Sequence, residues 1–163
     1  MPPPPGAITA RIERLVRAEQ DGGGDPELLA RMPSGWAVFG KFQPAPIRGC
    51  CMLLPERVVP SPNELEPRER ERFFADLVLL GDAILEVTGA ERINYLVLCN
   101  QVPELHGHCV PRFASEDAAL RLQGPFEAYD FGAAPVADGA GADRELVEAL
   151  RAALRRMLEK PHA

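Results

Sequence analysis

The chain has 163 residues, of which 24 are acidic and 18 are basic, so its formal net charge at pH 7 is -6. This length predicts one folded domain with its own hydrophobic core, and 46% hydrophobic with 26% charged residues is typical of a globular protein. The acidic balance argues against a nucleic-acid-binding protein, which needs a basic surface. The sequence contains no apolar run of about 18 residues, so no membrane span is predicted.

The N-terminal part of the chain is predicted to begin with a tail. Residues 1–7 are rich in proline and are expected to be disordered. Apolar residues at helical spacing then predict a helix over 8–20, which a run of three glycines ends. Asp25 followed by Pro26 has the pattern of an N-cap and a first helical proline, so a second, short helix is predicted as far as about Met32.

The middle of the chain is predicted to form two strands and one long helix. The strands span 36–42 and 50–54, and the loop between them contains two prolines, which cannot donate to a strand ladder. A wide apolar stripe at helical spacing predicts the longest helix over 67–88, and Gly89 is expected to end it.

The C-terminal part is predicted to contain two further strands and a final helix. The strands span 92–100 and 105–113, residues 114–142 are irregular, and the helix spans 143–159. This order predicts the α+β fold class, with a mostly antiparallel sheet, one long crossover helix and extra helices at both ends. Residues 8–163 are therefore expected to form a single domain.

Two of the three histidines lie close together. Because alternate residues of a strand share a face, Glu104, His106 and His108 are predicted to form a polar row, with Leu105 and Cys109 on the core side. One interpretation is a half-exposed strand whose polar face meets solvent. A second is a zinc site, although no other His or Cys cluster has ligand spacing.

The third interpretation is a nucleophilic imidazole. A neutral histidine can attack phosphorus and form a covalent phosphoramidate. One ring nitrogen must then be held as a donor so that the other presents a free lone pair. A second histidine two residues away is well placed to stabilise the charge that develops on the phosphoryl oxygens.

The segment from Asn100 to Arg112 (NQVPELHGHCVPR) resembles the signature of the histidine triad (HIT) family, in which three histidines alternate with apolar residues. The upstream segment from Pro46 to Val58 resembles the family's Pro-x-x-Gly segment, and the long helix lies between the two. Order and spacing make the resemblance more specific than the histidine pair alone. It covers about residues 33–113.

The resemblance implies hydrolysis or transfer at the α-phosphate of a nucleoside phosphate, through a nucleotidyl-histidine (phosphoramidate) intermediate. His106 matches the middle histidine, the nucleophile, and His108 matches the third, which contacts the phosphate. Glu104 stands where the first histidine usually stands, and it is expected to orient His106, protonate the leaving group or activate water. This departure from the triad favours an alternative function, a nucleotide-binding or sensing module with little turnover. Gly107 replaces an apolar residue, which leaves space or lets another segment approach closely.

The resemblance also places several residues near the nucleoside and its phosphates. Gln43 can hydrogen-bond a ribose, and Phe39 or Phe42 can cover a base, although at least one of these aromatics is expected in the core. Asn100 is equally explained as a turn residue, and Arg112 either meets a phosphate or caps its strand in solvent. The expected substrate-binding residues are Asn100, Asn94, Gln43, Phe42 and Arg112.

The resemblance implies no catalytic metal, so no cofactor is expected. The expected ligand is a nucleotide or a dinucleoside polyphosphate, with no nucleic-acid polymer and no membrane as a partner, and many relatives are homodimers. The four cysteines include no Cys-x-x-Cys pair, which favours buried thiols in a reducing cytoplasm. No secretory signal is recognised at the start of the chain.

Overall fold

The computed structural model describes residues 6–160. The predicted tail therefore falls mostly outside the described residues, as do residues 161–163. The helices are α1 (Ala7–Gln20), α2 (Pro67–Thr88), α3 (Pro125–Ala128) and α4 (Arg144–Glu159). The strands are β1 (Leu28–Met32), β2 (Gly35–Phe39), β3 (Cys51–Pro55), β4 (Arg92–Leu96) and β5 (Gly107–Arg112).

The five strands form one sheet in the order β1-β2-β3-β5-β4, and every neighbouring pair is antiparallel. Helix α2 connects β3 to β4 and so crosses over β5, which lies between them. The predicted α+β class, with an antiparallel sheet, one crossover helix and terminal helices, is confirmed.

Helix α2 has the predicted bounds because local signals and packing agree. Pro67 occupies the first turn, and Glu66 and Glu69 form a capping box that satisfies two backbone donors. Gly89 has φ 69° and ends the helix in the left-handed conformation that glycine adopts at low cost. The buried stripe of α2 includes Phe73, Leu77, Leu80 and Ile84.

The helix predicted to follow Asp25 is wrong, because residues 28–32 form strand β1 instead. The Asp25 carboxylate accepts a hydrogen bond from the backbone N–H of Glu27, as an N-cap would, but no helix continues from it. The same carboxylate pairs with Arg11 of α1. Tertiary pairing decides the conformation: β1 forms a hairpin with β2 through Pro33 and Ser34.

Strands β2, β4 and β5 are shorter than predicted, because each continues only where a neighbouring strand pairs with it. Strand β4 ends at Leu96, whose ladder partner is His108, because β5 begins only at Gly107 and offers no partner to residues further along β4. Cys99, predicted as strand, has φ 55°, which an extended strand does not allow. Similarly, β2 ends at Phe39, which pairs with Cys51 at the start of β3.

The two faces of the sheet are covered differently. Helices α2 and α4 pack together on one face, α2 over β3, β4 and β5 and α4 over β1. Gly107 belongs to this face, where a Cβ atom would lie 2.6 Å from Leu77 Cδ1, so the missing side chain lets α2 approach closely. Helix α1 packs on the opposite face, over Trp36, Val38 and Leu54. Among residues 6–160, no helix is both long and apolar enough to cross a bilayer.

Candidate active site

The two histidines lie at the start of β5, on the face opposite α2. His108 is directly opposite Met52 of β3 and Leu96 of β4. Its neighbour Cys109 points the other way, because the Cys109 thiol donates to the backbone oxygen of Leu77 in α2. The pleat of β5 therefore places the His108 ring on the α1 side of the sheet.

The imidazole rings of His106 and His108 are in edge-to-face contact. Their centroids are 4.9 Å apart and their planes meet at 79°. His106 lies one residue before β5 rather than within it, so the predicted strand start at Leu105 is two residues too early. The two rings nevertheless lie in contact, as the predicted polar row requires.

A backbone carbonyl fixes the orientation of the His106 ring. His106 Nδ1 lies 2.7 Å from the carbonyl oxygen of Glu104. A carbonyl oxygen only accepts hydrogen bonds, so Nδ1 holds the proton, and in the neutral ring Nε2 presents a lone pair. Within residues 6–160, no hydrogen bond to Nε2 is formed.

The His106 ring is largely buried, since the residue is only 7% exposed. Within the described chain, its Nδ1 atom is bound to the Glu104 carbonyl and its Nε2 atom has no hydrogen-bond partner. The nitrogen that would act as a nucleophile is thus the one that the described residues leave without a partner.

His108 is neutral at physiological pH. Burial, together with the neighbouring His106, lowers its pKa from 6.5 to about 4. A neutral imidazole has one N–H donor and one acceptor. His108 can therefore donate a hydrogen bond to a bound anion without adding a fixed positive charge to the site.

The Glu104 carboxylate points towards α1. Its Oε2 atom accepts hydrogen bonds from the backbone N–H groups of Ile8, at 2.9 Å, and Thr9, at 3.4 Å. Its Oε1 atom accepts a short hydrogen bond from the Thr9 hydroxyl. Glu104 therefore contacts His106 through its backbone carbonyl and not through its carboxylate. The predicted row of three polar side chains is wrong at Glu104, whose side chain points away from the two histidine rings.

Two of the predicted substrate-binding residues form one internal network. The Arg112 guanidinium is buried, pairs with the Glu116 carboxylate at 3.0 Å, and donates to Asn94 Oδ1 at 2.8 Å. It also donates to the backbone oxygens of Leu120 and Gln123. Neither of the two roles expected for Arg112, a free phosphate ligand or a solvent-exposed strand cap, describes these contacts.

Within residues 6–160, no hydrogen bond or ring contact joins the other predicted binding residues to the histidines. The buried Gln43 amide donates to the Gly40 and Cys50 carbonyls and accepts from the Gly49 and Cys50 N–H groups, which braces the loop before β3. Phe42 is half-buried and its backbone bridges to Val136. Asn100 is exposed and accepts from the N–H of Gln101, as a turn residue does. Phe39 is a core residue, 1% exposed.

The sequence did not indicate one aromatic neighbour of the site. The Phe126 ring of α3 contacts His108 edge-on, with centroids 5.2 Å apart, and Phe131 lies behind it at 4.8 Å. Phe126 is 39% exposed. The only sequence signal was a cluster of aromatics in an irregular segment, which no periodicity could place beside β5.

Of the residues described, no group of three or more His, Cys, Asp or Glu side chains is arranged to hold a metal ion. A surface cavity of about 330 Å³ lies elsewhere, between β1 and the end of α4. Leu29, Ala30, Arg151, Arg155, Leu158 and Glu159 line it. Neither histidine contributes to it.

The fold is similar to those of solved histidine triad proteins. A histidine triad protein from Bradyrhizobium japonicum has a TM-score of 0.65 at 19% identity, over 78% of this chain and 91% of that one. One from Sinorhizobium meliloti has a TM-score of 0.61 at 20% identity, over 86% and 93%. A hypothetical histidine triad nucleotide-binding protein from Sulfolobus tokodaii has a TM-score of 0.62 at 12% identity, over 86% and 91%.

No protein-family model and no curated protein matches the chain. The similarity to the solved structures includes a five-stranded antiparallel sheet and a crossover helix. The chain has the fold of the histidine triad proteins.

Proposed function

We propose that the protein is a HIT-family nucleotide hydrolase or nucleotidyl transferase that acts at the α-phosphate of a nucleoside phosphate derivative. The observation that supports this most is the state of the His106 ring. Its Nδ1 is held by the Glu104 carbonyl, and its Nε2 makes no hydrogen bond within residues 6–160. The fold supports the proposal too, because a neighbour from Sulfolobus tokodaii is named a nucleotide-binding protein.

The reaction would proceed in two displacements. His106 Nε2 attacks the α-phosphorus, an N–P bond forms, and the bond to the leaving group breaks with its electron pair. The Glu104 carbonyl stabilises the positive charge that develops on the imidazole, because it accepts the Nδ1 hydrogen. Water or another acceptor then attacks the phosphorus, the N–P bond breaks, and its electron pair returns to Nε2.

His108 would bind a non-bridging phosphate oxygen during both steps. Its ring lies beside that of His106 and keeps one N–H donor at neutral pH because burial lowers its pKa to about 4. A donor at this place stabilises charge that grows on the phosphoryl oxygens. Phe126, edge-on to His108, offers an exposed aromatic face to the part of the ligand that extends beyond the phosphate.

The test is incubation of the purified protein with a panel of nucleoside phosphoramidates and dinucleoside polyphosphates, with chromatography for product and calorimetry for binding. The proposal predicts release of a nucleoside monophosphate from at least one of them. Binding without product would support the alternative, a binding or sensing module, which the replacement of the first triad histidine by Glu104 favours. No binding and no product would contradict both functions.

A homodimer in the cytoplasm is proposed as the working form of the protein. Strand β4 is an edge of the sheet, and unpaired edges invite association with another chain. Four large apolar side chains on α2, β4 and the segment after β4 are 40% or more exposed, which suits a surface that is covered in solution. They are Phe74, Val78, Tyr95 and Leu98. Sedimentation analysis is expected to give twice the chain mass of 17.8 kDa, and a monomer would contradict this form.

A further inference from the structure

Helix α1 begins without a cap of its own. Its N-cap residue is Gly6, which has no side chain to accept a hydrogen bond, and its first turn contains no acidic residue. The first N–H groups of a helix have no acceptors within the helix, and they favour a negative charge. The carboxylate of Glu104, 96 residues from Ile8 in the chain, supplies both the acceptor and the charge.

Helix α1 is itself held firmly against the sheet. Its buried residues Ile8 and Leu15 pack with Trp36, Val38 and Leu54, on the face that also presents the histidines. An ion pair also joins Arg11 to Asp25 at 3.0 Å. The N-terminus of α1 is therefore a fixed support and not a loose end that follows Glu104.

The loop that precedes β5 is fixed on both sides of Glu104. Val102 packs in the α1 cluster, and the N–H of Leu105 donates to the Val59 carbonyl at 2.7 Å. The Leu105 side chain is fully buried in the core. With the Glu104 carboxylate bound to Thr9, little freedom remains for the Glu104 carbonyl, which is 2.7 Å from His106 Nδ1.

We propose that Thr9 is a positioning residue for the nucleophile, because it holds Glu104 so that the Glu104 carbonyl keeps the His106 proton on Nδ1 and the lone pair on Nε2. The Thr9 hydroxyl donates to Glu104 Oε1 and acts on the His106 ring through Glu104. The inference rests on the proposed function, since it concerns the reactivity of His106. The packing of α1 against the sheet would then affect the rate of the reaction at His106.

The test is the Thr9→Val variant, which removes the hydroxyl and keeps the shape of the side chain. We expect kcat to fall about fivefold, the change that corresponds to about 1 kcal/mol. KM should change little, because the ground-state contacts of the substrate are untouched. In ¹⁵N NMR spectra, the Nδ1 and Nε2 signals of His106 should move closer together as the ring loses its single tautomer. Thr9→Ser, which keeps the hydroxyl, should restore both properties.

Thr88→Val is the matched control, because Thr88 is the chain's other threonine. Its hydroxyl donates to the Ile84 carbonyl within α2, away from the loop before β5. This variant loses the same chemical group and is expected to leave kcat and the His106 signals unchanged. A similar loss of kcat in the two valine variants would overturn the proposal.

Unchanged His106 signals in Thr9→Val would also overturn it, because the anchor would then be merely structural. The NMR comparison separates this proposal from the proposed function. If the wild-type protein turned over no substrate at all but Thr9→Val still mixed the His106 tautomers, the positioning role would stand and the enzymatic function would fail.

Discussion

Replacing His106 with asparagine is expected to lower kcat/KM for the best substrate of the panel by a factor on the order of 10⁴ or more, the scale seen when a nucleophile is removed. Asparagine suits this test because its amide N–H can still donate to the Glu104 carbonyl, in place of Nδ1. The loop before β5 thus keeps its support, while the lone pair that attacks phosphorus is gone. The measurement is steady-state kinetics, with circular dichroism to compare the folds.

Nucleotide binding distinguishes a lost nucleophile from a damaged site. The asparagine variant should bind a nucleoside monophosphate about as well as the wild-type protein, because His108 and the surrounding face are unchanged. Wild-type activity in this variant would show that His106 is not the nucleophile, and the two-displacement mechanism would then be wrong.

Replacing Glu116 with alanine is expected to lower the free energy of unfolding by about 3 kcal/mol, the lower end of the range for breaking a buried ion pair. The Glu116 side chain is fully buried and accepts hydrogen bonds from Arg112, the Phe113 N–H and the Tyr129 hydroxyl. Its loss leaves the buried Arg112 charge without a counter-ion. Asn94 and two backbone oxygens still accept from Arg112, which is why the lower end applies.

The same carboxylate gives the stability a pH dependence. Burial alone would raise the pKa of Glu116, but the hydrogen bonds from Arg112, Phe113 and Tyr129 hold it below its usual value. A carboxyl pKa that is lower in the folded than in the unfolded chain stabilises the fold above the unfolded pKa, and this contribution is lost as the pH falls through the folded pKa. Urea unfolding should therefore show that the difference in the free energy of unfolding between the wild-type protein and the Glu116→Ala variant is smaller in acid than at pH 7.

The Glu148→Ala variant is the matched control for Glu116. Glu148 also pairs with an arginine four residues earlier, Arg144, but both side chains are more than half exposed. Exposed pairs of this kind contribute below about 0.5 kcal/mol, so unfolding should change little. If both variants lost the same small amount of stability, the buried Arg112–Glu116 pair would stabilise the fold no more than an exposed ion pair does.

Much of the fold could be predicted because local signals and tertiary packing agree. The bounds of α2 followed from its apolar stripe together with Pro67 and Gly89, and the structure has the same bounds. The Asp25-Pro26 pattern failed because a helix start is a local signal, whereas strand β1 depends on its pairing with β2. Strands β4 and β5 were predicted to be longer than they are, because a strand continues only where a neighbouring strand pairs with it.

The sequence predicted the pair of histidines correctly but not the contacts of the residues expected around them. The spacing of His106 and His108 placed both rings together, as observed. The direction of the Glu104 carboxylate depends on α1, which is remote in sequence, so no local pattern could indicate it. Gln43 and Arg112 have side chains that suit a ligand and an internal network equally well, and only the fold shows that their partners lie within the chain.

The central claim, that His106 Nε2 attacks phosphorus, is tested most directly by trapping the covalent intermediate. The wild-type protein is mixed with a nucleoside phosphoramidate, stopped in alkali within the first turnover, and digested for mass spectrometry. We predict one nucleoside monophosphoryl group on the peptide that contains His106, and none in the asparagine variant. Attachment of the group to another residue, or rapid turnover in which no peptide is ever labelled, would contradict the mechanism.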